Sequence, residues 1–386
     1  KWRIQGQWVH PMEPRYGFRK QFREGHRMAI QDFITNRRRN QARENWGART
    51  DLLDKEPARI KVVGVGNAGC KRVERMMQQA VPGMIFAMVD TNANGTETSE
   101  PGVNVIQVGA NNTRSWGAFG SHQADIGGPD DSPDESSQQL RQSLADADLV
   151  FVTAGMGGGT GTSAAPNVAR LAKEQGAFVV GLVTAPFSFE GRRRMGLAVA
   201  GIERLRPQVD NLILVQNDRL LGYIDHSSHM ASAFQKVDEV VAQAMIDLSE
   251  VINAPQEVNL EFAGVRYIMG LRGGTLMAIG RGSGTAGPAE AARQALANPL
   301  LDLSFDDASG VLMMFNGGST AMTLGGVNAA RQVLKGTVRD HSHVFIGVRI
   351  DEGMGEEVSL TLIAAGLQQH APDVREKAVI TKERHP

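Results

Sequence analysis

Ala154-Gly155-Met156-Gly157-Gly158-Gly159-Thr160-Gly161-Thr162 is the stretch of this sequence that decides its fold. It follows an apolar, strand-like run over residues 147–152 and precedes a helix-like run from Ser163 to Gln175. Five of its nine residues are glycine, so backbone amides can close around an anion. The N-terminus of the following helix adds partial positive charge at the same place. The stretch therefore predicts a phosphate-binding loop between a strand and a helix.

This loop differs from the common P-loop, whose pattern GxxxxGK[ST] supplies a lysine for the outer phosphates of a nucleotide. No lysine occurs between Lys71 and Lys173. The sequence therefore predicts a different class of phosphate-binding loop.

A second glycine turn, Gly64-Val65-Gly66-Asn67-Ala68-Gly69, also lies between a strand-like run and a helix-like run. Asp90 follows Gly69 by 21 residues, at the end of the next predicted strand. That spacing is typical of dinucleotide-binding folds, in which the acid holds a ribose hydroxyl. A dinucleotide-dependent oxidoreductase is therefore an alternative. Two observations weigh against it: the loop at 155–161 has no role in a simple dinucleotide fold, and the distal half shows no His, Lys and Tyr set for hydride transfer.

Apolar strands alternate with helices from residue 59 onward, which predicts an α/β fold with a parallel sheet covered by helices on both faces. The predicted strands are residues 59–65, 84–89, 103–108, 149–153, 178–183 and 211–215. A long helix is predicted over 229–252, where apolar side chains repeat every three or four residues. Those side chains are Phe234, Val237, Val241, Met245, Leu248 and Ile252. Beyond this helix, strands near 310–315, 344–350 and 358–365 and helices near 288–297 and 324–334 predict a smaller α+β domain.

The predicted organisation has five parts along the 386 residues. They are a basic, aromatic-rich N-terminal extension (1–56), a nucleotide-binding domain (57–228), a central helix (229–254), an α+β domain (255–368) and a short polar tail (369–386).

Charge and composition limit the function classes. The net charge is −1, which gives no global field for nucleic acid, although residues 1–50 hold twelve Lys or Arg and four Asp or Glu. The only cysteine, Cys70, cannot form an intramolecular disulfide, which predicts a reducing cytoplasm. No apolar run approaches the ~18 residues of a transmembrane helix, and no signal peptide is visible.

Three segments together resemble the tubulin/FtsZ superfamily of GTP-dependent filament proteins. The string from Gly157 to Thr162, GGGTGT, resembles the superfamily's signature loop. Residues 184–194, TAPFSFEGRRR, resemble the FtsZ ribose loop, and residues 216–221, QNDRLL, resemble the segment that reads the guanine base. The resemblance covers about residues 59–367 with the elements in the family's order.

The resemblance implies a GTP or GDP site with three parts. On the phosphate side it implies the first turn, Gly64, Gly66, Ala68 and Gly69, and the cradle, Gly157, Gly158, Gly159, Thr160, Gly161 and Thr162. Glu190 would hold the ribose and Arg194 would lie by the nucleotide. Asn217 and Asp238 would hydrogen-bond guanine while Phe234 stacks on it. Mg²⁺ is expected to bind through nucleotide oxygens and water.

The catalytic loop departs from the family pattern. In FtsZ an Asn-X-Asp-X-X-Asp loop of one subunit covers the nucleotide of the next, and its acids polarise the attacking water. Here Asn259 is kept, Glu261 replaces the first Asp, and Gly264 replaces the second. Losing such a carboxylate commonly lowers rates on the order of 10²–10⁴-fold, which predicts weak hydrolysis. Cys70 and Lys71 also replace the paired asparagines usual after the first turn.

The resemblance thus implies an FtsZ-like protein that stacks head to tail into filaments and hydrolyses GTP between subunits. A nucleotide-gated scaffold that barely hydrolyses is the second hypothesis, and the oxidoreductase is the third. The basic residues 1–50 suggest either an arm or helix packed on the main body, or a segment that contacts a membrane surface or an acidic partner. The predicted location is the cytoplasm, and the second alternative adds association with a membrane. Cell division, organelle positioning and membrane shaping fit the sequence equally well.

Overall fold

The computed structural model describes ten stretches of the chain, and it separates residues 1–56 from a compact unit that begins at Pro57. The described residues are 2–4, 7–9, 57–78, 83–91, 103–108, 135–220, 229–253, 262–297, 305–339 and 341–367. In the N-terminal unit, β1 (Trp2–Ile4) pairs antiparallel with β2 (Gln7–Val9). The predicted polar tail lies outside the described residues.

Six parallel strands form the first half of the main sheet, as the apolar runs predict. They are β3 (Ile60–Val65), β4 (Met84–Asp90), β5 (Val103–Gln107), β6 (Leu149–Gly155), β7 (Phe178–Ala185) and β8 (Asn211–Gln216), in the order β8-β7-β6-β3-β4-β5. Every residue of β7 is buried, because helices cover both faces. The helices are α1 (Gly66–Gln78), α2 (Glu135–Leu144), α3 (Gly159–Glu174), α4 (Arg192–Leu205) and α5 (Asn217–Leu220).

The long helix α6 (Met230–Asn253) follows, and then the second half of the sheet. Its elements are α7 (Phe262–Met269), β9 (Gly274–Ser283), α8 (Gly287–Ala297), β10 (Gly310–Gly317), α9 (Leu324–Lys335), β11 (His343–Ile350) and β12 (Glu357–Leu367). The strand order is β11-β10-β12-β9; β10 and β11 are parallel and the other pairs are antiparallel. Among the described residues, one residue pair, Ile213 with Thr275, joins β9 to β8.

The fold-class prediction is confirmed, with differences in detail. Helix α3 begins at Gly159, four residues before the expected Ser163, so its first turn lies inside the glycine loop. Strand β9 was not predicted because Gly280 and Gly282 weaken a strand pattern. The structure needs both, since a Cβ at Gly280 would overlap the Ala291 carbonyl oxygen of α8. The domain boundaries at 228 and 254 stay a prediction.

Helix α6 lies in the core between the two halves. Its residues Val237, Val241, Met245 and Leu248 are buried in one cluster with side chains from both halves of the sheet. Phe234, at the start of the same stripe, is 38% exposed and faces a cleft instead. Within the described residues, none of the helices combines the length and apolarity needed to cross a membrane.

Candidate functional site

A cleft of about 580 Å³ opens where β3, β6 and β7 reach their carboxyl ends. In open parallel sheets this edge is where ligands bind, because the loops and helix N-termini converge there. The cleft is lined by Val65, Gly66, Asn67, Ala68, Lys71, Arg72, Arg75, Asp90, Gly155, Met156, Gly158, Gly159, Thr160, Gly161, Thr184, Pro186, Glu190, Arg194, Asn217, Phe234, Gln235, Val237 and Asp238. Most of the residues predicted for a nucleotide site are therefore brought together.

Two helix N-termini meet in this cleft. Helix α1 begins at Gly66 and helix α3 at Gly159, and both residues line it. A Cβ atom added at Gly66 would lie 2.9 Å from the Gly161 amide nitrogen, so the two glycine turns are in backbone contact. Gly66 also has φ +70°, which favours glycine. Two helix N-termini that meet at one place suit a polyanion such as a di- or triphosphate.

Among the residues that the structure describes, none fills the space beside the glycine loop before α3. Among the described residues, no atom lies within 4 Å of where a Cβ of Gly158 would be. Gly158 is also the N-cap of α3, and no side chain in the described part of the chain caps that helix. The orphan amides of the first turn therefore remain available to an anion.

Four of the predicted phosphate-side residues support the loops from behind rather than line the cleft. Gly157 donates its amide to Thr162 Oγ1 at 2.8 Å and has φ +93°, which fixes the loop's turn. Gly64 and Gly69 allow α1 to pack closely on the sheet, since a Cβ on either would overlap a backbone carbonyl oxygen. These glycines position the cradle through close backbone packing.

The two residues predicted to lie by the ribose, Glu190 and Arg194, form an ion pair. Glu190 Oε2 lies 2.8 Å from the Arg194 guanidinium, and Glu190 Oε1 accepts the Phe187 amide at 2.8 Å. Both side chains line the cleft. Their mutual contact and the loop bond hold the Glu190 carboxylate at the rim, where a hydroxyl group can reach it.

The residues predicted to bind the base also line the cleft. Asn217 is 5% exposed, and its Oδ1 atom has no hydrogen-bond partner among the described residues. The Phe234 ring meets the Phe187 ring edge-on at 5.3 Å between centroids, which leaves Phe234 partly exposed to the cleft. Asp238 lines the cleft as well. A buried amide without a partner calls for a polar ligand, because an unmade buried hydrogen bond is costly.

Sequence analysis missed Arg72, which is 1% exposed and touches Asp238. Burial lowers the pKa of the Arg72 guanidinium, and the neighbouring Asp238 carboxylate offsets part of that effect. No local pattern could have identified Arg72, because its hydrogen-bond partners lie 81, 112 and 166 residues away in the sequence.

Asp90 is directed towards the phosphate loop. Its Oδ1 atom accepts hydrogen bonds from the Thr160 hydroxyl at 3.2 Å and the Thr91 amide at 2.6 Å. The dinucleotide alternative requires this carboxylate for a ribose hydroxyl. The contact with Thr160, inside the glycine loop, disfavours that role.

Cys70 and Lys71 differ sharply in environment. Burial, followed by the Asp90 charge, raises the pKa of the Cys70 thiol to about 12, so this thiol stays protonated and packs as a small core residue. Lys71 is exposed and lines the cleft.

The predicted catalytic residues Asn259 and Glu261 lie outside the described residues. Gly264 is described and lies in the first turn of α7. A Cβ atom added at Gly264 would lie 3.1 Å from Cε1 of Phe345, a partly buried residue of β11. A side chain at position 264 would therefore be directed towards the Phe345 ring. Across the described ranges, no group of three or more His, Cys, Asp or Glu side chains is placed to hold a metal.

Comparisons with known proteins give matches to two family models and to solved structures. The family model "Tubulin/FtsZ family, GTPase domain" matches residues 59–225, and "FtsZ family, C-terminal domain" matches residues 273–368. An empty FtsZ dimer from M. jannaschii is 31% identical, with a TM-score of 0.72, over 82% of this chain and 90% of that one. A GTPγS-bound protofilament of CetZ2 from Haloferax volcanii shares the fold at 19% identity and a TM-score of 0.64, over 84% of this chain and 99% of that one.

Proposed function

This chain belongs to the tubulin/FtsZ family, and on that premise we propose that it is a guanine-nucleotide-binding cytoskeletal protein that stacks head to tail into filaments. The family includes GTP-binding cytoskeletal proteins, which sets aside the oxidoreductase alternative together with the contact of Asp90 to Thr160.

The observation that carries the proposal is the buried Asn217 Oδ1 atom, which has no hydrogen-bond partner within the described ranges. It lies in the same cleft as Asp238 and the two helix N-termini. Guanine offers N–H donors that suit amide and carboxylate oxygens and a π-face that suits Phe234. The phosphates would lie at Gly66 and Gly158–Gly161, with Glu190 and Arg194 by the ribose. Mg²⁺ would be held through phosphate oxygens and water.

Filament formation is supported by relatives rather than by this chain's own contacts. The solved relatives include an FtsZ dimer and a CetZ2 protofilament. In a filament of this chain, Asn259 and Glu261 of one subunit would cover the nucleotide of the next. With Gly264 in place of the second acid, hydrolysis would be slow.

A nucleotide-gated scaffold with negligible hydrolysis is the second candidate function. Two facts favour it: position 264 has no side chain, and the ring of Phe345 occupies the direction a side chain would take. Phosphate release measured across a protein-concentration series, with sedimentation in parallel, separates the two candidates. A rate per subunit that rises with polymer supports an assembly-coupled GTPase, whereas polymer with little phosphate release supports the scaffold.

We place this protein in the cytoplasm, with the basic residues 1–50 contacting an anionic membrane surface or an acidic partner. Such a location would suit cell division, among other processes. Deleting residues 1–50 should leave nucleotide binding unchanged and reduce co-sedimentation with anionic liposomes. Unchanged co-sedimentation with liposomes would instead indicate that residues 1–50 have a structural role.

Gly158→Ala tests the cleft assignment directly. Alanine meets no described protein atom within 4 Å there, and the backbone, at φ −88° and ψ 175°, suits it. We therefore expect the melting temperature without ligand to be unchanged. GTP affinity should fall at least on the order of tenfold, because the methyl group enters the space at the α3 amides and weakens a charged hydrogen bond.

The matched control is Gly196→Ala in α4, which also meets no described atom within 4 Å and does not line the cleft. It should bind GTP like the parent. Equal affinity of the parent for GTP and ATP would refute base recognition, and unchanged GTP affinity in Gly158→Ala would refute the phosphate assignment.

A further inference from the structure

One guanidinium group contacts three of the chain segments that line the cleft. Arg72 Nη1 donates to Thr153 Oγ1 at 3.0 Å, just before the glycine loop that follows β6. Arg72 Nη2 donates to Thr184 Oγ1 at 2.8 Å, just before the ribose loop that follows β7. Arg72 Nε donates to Asp238 Oδ1 at 2.8 Å, on the base-side helix α6. The three acceptors belong to the phosphate, ribose and base segments.

The contact fixes the Asp238 carboxylate in a nearly dry environment. The Arg72 side chain is 1% exposed and that of Asp238 is 10% exposed. A buried carboxylate without a fixed partner would pay a large desolvation penalty, so the pair is held together strongly. Arg75 Nη1 lies 3.9 Å from the other oxygen, Oδ2, and donates instead to the Gln235 carbonyl at 2.8 Å. Arg72 therefore sets the orientation of the carboxylate.

A carboxylate has about four lone-pair sites, and the Arg72 bond uses one of them. The remaining sites suit the two adjacent N–H donors of guanine, at N1 and the 2-amino group. Planar, two-point recognition requires a fixed carboxylate plane, because a freely rotating group loses entropy on binding.

We propose that Arg72 is the positioning residue for base selection: it orients Asp238 so that the cleft prefers bases with a 2-amino group. The inference rests on the proposed guanine-nucleotide function and adds to it a residue outside the recognised motifs. Arg72 contacts no reacting atom and acts through Asp238.

The experiment measures dissociation constants for GTP, ITP and ATP by titration calorimetry on the full chain. Hypoxanthine lacks the 2-amino group of guanine and is otherwise the same base, so the ITP/GTP ratio of dissociation constants reports the second hydrogen bond to Asp238. Arg72→Met should lower this ratio on the order of tenfold, since a hydrogen bond to a charged group is lost. A general loss of structure would weaken GTP and ITP binding equally and leave the ratio unchanged.

Two further variants sharpen the test. Arg72→Lys keeps a positive charge beside Asp238 and loses the planar fork to Thr153 and Thr184, so it should recover part of the ratio. Arg75→Met is the matched control on the same helix face: it removes a cation near Asp238 and no hydrogen bond to it. The ratio should change less in Arg75→Met than in Arg72→Met.

In Arg72→Met the buried Asp238 carboxylate would lose its closest cationic partner, which could prevent folding. The double variant Arg72→Met/Asp238→Asn removes that charge, and its ITP/GTP ratio should equal that of Asp238→Asn alone. A further drop caused by Arg72→Met in the Asp238→Asn background would overturn the proposal, as would a parent ratio retained by foldable Arg72 variants. A parent that binds GTP and ATP equally would instead refute the proposed function itself.

Discussion

The nucleotide cleft and the first turn of α7 both depend on glycine, but in opposite ways. In the cleft, Gly66 and Gly161 lie against backbone atoms that cannot move without disturbing the strands and helices around them. At α7, Gly264 lies against the ring of Phe345, a side chain that is only partly buried. Backbone packing therefore constrains glycine more closely in the proposed binding site than at the proposed hydrolytic position. Binding and turnover can diverge separately in such a molecule.

Gly161→Ala should disrupt the backbone packing of the cleft. Its Cβ would lie 2.5 Å from the Gly155 carbonyl oxygen, so the loop must shift. We expect the free energy of unfolding to fall by about 3 kcal/mol, the upper end of typical overpacking costs, measured by urea denaturation without nucleotide.

The matched control is Gly325→Ala, the second residue of α9, where a Cβ would meet no described atom within 4 Å. It should be neutral or stabilising by up to ~1 kcal/mol, because alanine favours helices. Equal destabilisation by both variants would contradict the backbone-contact argument.

Gly264→Asp tests the role of position 264, in the first turn of α7, in GTP turnover. The restored carboxylate is expected to raise GTP turnover on the order of tenfold or more, within the range of general acid–base groups. Stability should change by less than about 1 kcal/mol, since an acid in the first turn of a helix is favourable and offsets the shift of Phe345. Phosphate release at saturating polymer is the measurement.

Gly264→Ala adds a side chain without a carboxylate and is the control for the steric effect on Phe345. The double variant Gly264→Asp/Phe345→Leu gives the acid more room and should turn over at least as fast as Gly264→Asp. Equal rates for the parent, Gly264→Ala and both Asp variants would mean that Glu261 or the interface limits hydrolysis.

The smallest expected effect concerns Asp247, on the C-terminal half of α6. Burial raises the pKa of this carboxyl, against the opposing hydrogen bonds from Thr361 and Gln243. The folded protein therefore binds a proton that the unfolded chain has released, from about pH 3.9 up to the folded pKa. Stability contributed by Asp247 is lost as pH rises through that window, with a slope of at most about 1.4 kcal/mol per pH unit.

Asp247→Asn should remove this slope. We expect the difference in unfolding free energy between Asp247→Asn and the parent to grow in favour of the variant as pH rises through the window. Glu250, whose pKa burial also raises, is present in both proteins, so its contribution largely cancels. Parallel stability curves would show that Asp247 does not titrate differently on folding.

Local sequence patterns predicted most of the fold and the glycine loops of the candidate site, whereas the ribose and base residues were implied only by the resemblance to a known family. The loop from Gly157 to Thr162 and the long helix carry their signals within short windows, so their type and position could be predicted. The contact between Arg72 and Asp238 could not, because an arginine in a helix usually indicates a solvent-exposed face and its partner is 166 residues away. The approach of Phe345 to Gly264 is hidden for the same reason. Chain topology, rather than local pattern, produces both contacts.

Backbone pairing between β8 and β9 is sparser than pairing within either half of the sheet. Six residue pairs join β7 to β8 and eight join β10 to β12, whereas one described pair joins β8 to β9. The Asn211 side-chain amide, Nδ2, adds to the β8–β9 junction by donating to the Met269 carbonyl at 2.7 Å and to Thr275 Oγ1 at 2.8 Å. We therefore expect bending of the sheet to concentrate at the β8–β9 junction, where the fewest described backbone pairs would have to break, and each half to keep its shape.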